Sequence, residues 1–124
     1  MKRFLVGTAL AALISGTAVA ESLKVGDLGE MPSRRVCMSI AAEVLTTYVE
    51  EFGGHSTSGD KDKSESWSFY AWDLRPGDVD VVITCPVVAD QVNAFYVLHS
   101  SGEGETDNAD VAAERIRELW KRLY

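Results

Sequence analysis

Cys37 and Cys85 are the only cysteines in a chain of 124 residues. Joined to each other, they would dictate which two stretches of the chain lie side by side in the core. Whether they join depends on the compartment, because disulfides persist outside the reducing cytosol. The first twenty residues bear on that. Met1-Lys2-Arg3 is a short positive stretch, and Phe4 to Ile14 is apolar apart from Gly7 and Thr8. Ser15-Gly16 breaks the run, and Ala18-Val19-Ala20 is a small-x-small sequence of the kind signal peptidase cuts after. The run is shorter than the ~20 apolar residues that span a bilayer, and no cysteine follows the cleavage point to accept a lipid. Residues 1–20 therefore read as a removable signal peptide with Glu21 as the mature N-terminus. The expected location is the periplasm or the outside of the cell. No second long apolar run follows, so no membrane insertion of the mature chain is expected.

An even pair of cysteines in an exported domain of this size reads as one intramolecular bridge, Cys37–Cys85. Closing that loop lowers unfolded-state entropy by an amount worth about 4 kcal/mol, a large share of a small domain's net stability. A reactive or metal-binding thiol would call for a C-x-x-C or a helix-borne Cys/His pair, and the sequence has neither.

Charge excludes further classes. Lys and Arg total 12 against 19 Asp and Glu, a formal net charge of −7. Losing Lys2 and Arg3 with the leader makes the mature chain more acidic still. Nucleic acid and anionic membrane surfaces need a basic footprint, so neither is an expected partner.

Along the mature chain, residues 21–30 hold only Leu23, Val25 and Leu28 as apolar residues, with two glycines, and read as a linker or one short strand. Residues 31–124 read as a single α+β domain. Pro32-Ser33 suits a helix start. Cys37, Ile40, Ala41, Val44, Leu45, Tyr48 and Phe52 then recur at three- and four-residue steps, one apolar helix face that Gly53-Gly54 terminates. His55 to Ser66 has no apolar residue and reads as a loop. Trp67 to Leu74, Val79 to Cys85 and Asn93 to Ser100 read as strands, with Arg75-Pro76-Gly77-Asp78 as a turn and Pro86 stopping the second ladder. Short connections make these neighbours antiparallel. After a glycine-rich acidic loop, Asp107 could cap a last helix that buries Ala112, Ile116, Leu119 and Leu123. The expected fold is α-β-β-β-α, a three-stranded antiparallel meander with both helices on one face. The bridge would staple the first helix to the second strand.

Several constellations could carry chemistry. Glu103, Glu105, Asp107 and Glu114 fall at positions 1, 3, 5 and 12 of a calcium-loop spacing. Asn108 stands where that loop needs glycine, and a strand rather than a helix enters it. A cation-binding protein built on this loop is one alternative reading. A small hydrolase, with His55 or His99 beside a carboxylate, is another, although no G-x-S-x-G elbow occurs. Nothing in the sequence calls for a cofactor. The aromatics point elsewhere. Trp67, Phe69 and Ala71 alternate with Ser68, Tyr70 and Trp72, so large rings fall on both faces of a sheet that two helices can cover on one side only. Tyr70, Trp72, Val82 and a third-strand aromatic, taken as Tyr96, are then left on an open face, unless residues 21–30 or the loop 55–66 fold back over it. Exposed patches of that kind mark partner sites. The expected function is an exported, non-enzymatic binding protein that meets a protein partner, or a second copy of itself, through that face.

Overall fold

A computed structural model describes residues 21–57, 67–101 and 106–124. Ser33 caps the first helix, its hydroxyl accepting the Val36 N–H at 3.1 Å, which satisfies one of the orphan donors of the first turn. This helix, α1 (Arg34–Phe52), ends where Gly53 takes φ 97° and its N–H returns to the Val49 carbonyl at 2.9 Å. Cys37, Ala41, Val44, Leu45 and Tyr48 are buried along its inner face, as the spacing implies, and Phe52 is left at the rim.

The sheet has six antiparallel strands: β1 (Glu21–Met31), β2 (His55–Thr57), β3 (Ser68–Leu74), β4 (Val79–Thr84), β5 (Val87–Val88) and β6 (Gln91–Ser101). Their order across the sheet is β1-β6-β4-β3-β2, with β5 paired to β6. Helix α2 (Thr106–Leu123) follows the last strand. The α+β class, the two helices and the disulfide match the sequence reading, and the expected meander is the centre of the sheet, β3-β4-β6. Three strands are added to it. Residues 21–30, expected as a linker or one short strand, belong to a strand, longer than expected at 11 residues, that pairs with β6 along its length, Glu21 opposite Ser101 and Met31 opposite Val92. His55 to Thr57 leaves the expected loop to pair with β3. Val87 and Val88 make a tight hairpin with Gln91 and Val92, turning through Ala89 and Asp90 at positive φ.

Both helices cover the same face. Phe69, Ala71 and Leu74 of β3, Val79, Val81 and Ile83 of β4, and Ala94, Tyr96 and Leu98 of β6 are buried beneath them. Strand alternation sends the intervening residues to the other side. Cys37 of α1 and Cys85, just past β4, are joined with their Cα atoms 6.1 Å apart, and both are fully buried. The bridge therefore ties helix to sheet through the core, as expected. Ion pairs between Lys24 and Asp110 and between Arg122 and Glu51 tie α2 to β1 and to α1. Among the described residues no helix is long and apolar enough to cross a membrane.

Candidate functional site: the open face of the sheet

Register fixes what the uncovered face displays. Tyr70 of β3 lies opposite Val82 of β4, Val82 opposite Val97 of β6, and Val97 opposite Val25 of β1, so one transverse row runs unbroken through four strands. A second row sets Leu23 opposite His99, His99 opposite Asp80, and His55 of β2 opposite Trp72. A third sets Phe95 between Asp27 and Thr84. Leu23 and Val25 are each 66% exposed, Trp72 44% and Tyr70 41%. Val82, Phe95 and Val97 are half-buried between them.

The two large rings are held in a fixed relation. Tyr70 and Trp72 stand on the same face two residues apart, their centroids 6.2 Å apart and their planes 4° from parallel. Directly after them β3 bulges, so that Trp72 and Asp73 together span the place opposite Asp80, between the pairs Ala71–Val81 and Leu74–Val79. Asp73 sits at φ 53°, and its N–H is taken by the Asp80 carboxylate at 3.1 Å. An acidic side chain on the open face thus fixes the backbone that carries Trp72. Beyond the bulge, the Arg75 carbonyl accepts from the Tyr48 hydroxyl at 2.6 Å and from Arg115 at 2.9 Å, so α1 and α2 together hold the β3–β4 turn. Burial pushes the Tyr48 phenol above the usual tyrosine range, while the Arg115 guanidinium beside it pulls the other way.

Of the expected surface residues, Tyr70, Trp72 and Val82 come together on this face. Tyr96 does not. It lies on the helix-covered side at 1% exposure, its ring packed over Gly26 of β1. The third-strand aromatic on the open side is its neighbour Phe95, because alternation gives the two adjacent rings opposite faces. Leu23, Val25 and Val97 belong to the surface as well and were not singled out from the sequence. The alternation Leu23-Lys24-Val25 was the available signal, obscured by the glycines after it.

The other constellations are placed less completely. Glu103 and Glu105 lie outside the described residues. Asp107 and Glu114 are exposed on α2, Asp107 within its first turn. Among the described residues no group of three or more His, Cys, Asp or Glu side chains converges as a metal site would require. Asp80 is the register partner of His99 in the β4–β6 pair. The pair sits within the open face, with Leu23 and Trp72 to either side in its row.

Compared with known proteins, the chain matches no family model, no curated protein and no solved structure.

Proposed function

We propose that the protein is an exported, non-enzymatic binding protein that docks a protein partner on the open face of its sheet. The observation that carries this reading is the unbroken row Val25–Val97–Val82–Tyr70, extended by Leu23, Phe95 and Trp72 and left uncovered by either helix. Contiguous apolar surface of this sort is costly to leave in water unless something covers it. Tyr and Trp are the side chains that most often anchor an interface, because they bury much area with few rotatable bonds. The chain's net charge of −7 supports a partner of complementary chemistry. It offers an apolar centre to the valine and ring surface, with basic groups around it that meet the acidic body of this protein. The disulfide suits a domain that works outside the reducing cytosol.

Capture on immobilised protein, comparing wild type with Trp72→Ala, tests the reading. A partner held by wild type and by Glu43→Ala, on the outer side of α1, should be lost from Trp72→Ala. With that partner purified, calorimetry should show binding weakened at least tenfold by Trp72→Ala, as befits a central ring. Added salt should weaken it as well. Identical capture by wild type and Trp72→Ala would remove the proposal.

A further inference from the structure

The outer edge of β1 has a different character from the face. β1 ends the sheet, and among the described residues no strand pairs with its far side. Natural sheets protect such an edge with an outward lysine, a proline, a bulge or a very short strand. Here the strand is 11 residues long. Its lysine, Lys24, is turned to the helix side and ion-paired with Asp110. Its bulge falls late, between Asp27 and Gly29. Residues 23–26 carry neither a proline nor a bulge, and the side chains they show on the open face, Leu23 and Val25, are the most exposed large apolar residues described.

We propose that this edge joins two copies of the chain, β1 pairing antiparallel with β1 of the second copy to make one continuous sheet. A two-fold axis normal to the sheet keeps like faces together, so open-face residues meet open-face residues. Charge selects the register. An axis at Lys24 would set Lys24 against its own copy, like charge against like and unfavourable. An axis at Val25 sets Val25 against Val25, Lys24 against Gly26 and Leu23 against Asp27, with no like charges opposed before the bulge. Leu23 then reaches Val25 of the second copy on the diagonal. The apolar rows of both copies run on into each other across the axis. The edge serves self-association whether or not the face docks a separate partner.

Sedimentation velocity over a concentration series tests this on the purified protein. Wild type should dimerise reversibly and more tightly as salt rises, because two acidic bodies repel and salt screens the repulsion. Docking of a basic partner on the face should respond to salt in the opposite sense. Val25→Lys, and independently Leu23→Lys, should weaken the dimer at least tenfold with an unchanged circular dichroism spectrum, both positions being exposed. Trp72→Ala and Val87→Lys should dimerise as wild type does. Val25→Cys should form an intermolecular disulfide under mild oxidation. Wild type sedimenting as a monomer at every concentration would overturn the proposal. So would Val25→Lys and Leu23→Lys dimerising undiminished, or Trp72→Ala abolishing the dimer, which would make it a face-to-face one.

Discussion

The ring of Tyr96 occupies the space that a side chain on Gly26 would need: a Cβ built there would lie 2.1 Å from the Tyr96 Cζ. The two residues are directly opposite each other in the β1–β6 pair. The Tyr96 ring also has the Arg117 guanidinium 5.4 Å from its centroid. Glycine at 26 is thus what lets a large ring fit beneath α2, and that arrangement leaves Phe95 on the opposite face.

Gly26→Ala should therefore destabilise the fold. Overpacking of a closed core costs about 1–3 kcal/mol, and the displaced ring would have to leave its buried place. Denaturant unfolding should show the loss. Gly26→Ala combined with Tyr96→Leu should recover part of it, since the side chain that collides is removed.

Removing the bridge should cost more. Cys37→Ala with Cys85→Ala gives up a constraint on a loop of 48 residues, about 4 kcal/mol by chain entropy. Guanidinium unfolding of the double variant against wild type measures it. In native wild type neither sulfur should react with a thiol reagent, and no free cysteine should be counted.

Tyr48 should be late to ionise. Its phenol is raised from 10.0 chiefly by burial. A group whose pKa is higher folded than unfolded contributes stability below the unfolded value and loses it as pH climbs towards the folded one. Stability should accordingly fall above about pH 10. In an ultraviolet titration Tyr48 should ionise above the usual tyrosine range, or only with unfolding. Tyr48→Phe should remove that late step. It should cost about 0.5–1.5 kcal/mol, since Arg115 still donates to the Arg75 carbonyl.

Ser33→Ala should cost about 1 kcal/mol through the lost cap. Ser33→Asp should retain most of that stability, because a carboxylate accepts the same N–H and suits the positive end of the helix. Thermal melts of the pair against wild type decide it.

What could be read from the sequence follows from how each element is stabilised. Helix α1 has its apolar residues at helical spacing, a cap at Ser33 and a stop at Gly53, so local signals and packing agree. The same holds for β3, β4 and β6, where rings and branched residues alternate, and for the Cys37–Cys85 pairing. Strand β1 was obscured because Gly26 and Gly29 look like linker residues out of context. Gly26 answers to the Tyr96 ring on a distant strand, and Gly29, at φ 103°, to a bulge whose N–H is held by the Asp27 carboxylate. Strand β2 has no apolar residue of its own and depends on β3 for its pairing. The orientation of β6 was ambiguous because both of its faces carry large side chains, Tyr96 and Leu98 on one and Phe95 and Val97 on the other. Only the partner strand resolves which pair is buried. Trp120, buried on α2, was likewise not assigned to its inner face.

The position of β1 beside β6 also sets a timetable. A ribosome releases the N-terminal end first, yet β6, the strand described beside β1 in this chain, is nearly the last to emerge, about seventy residues later. Until then the opening segment has nowhere to dock, however favourable its final place. Assembly of this sheet is a late event that needs almost the whole polypeptide in hand, which makes it slow by comparison with a meander of neighbours. Truncation at the C-terminal end should strip the first strand as surely as the last.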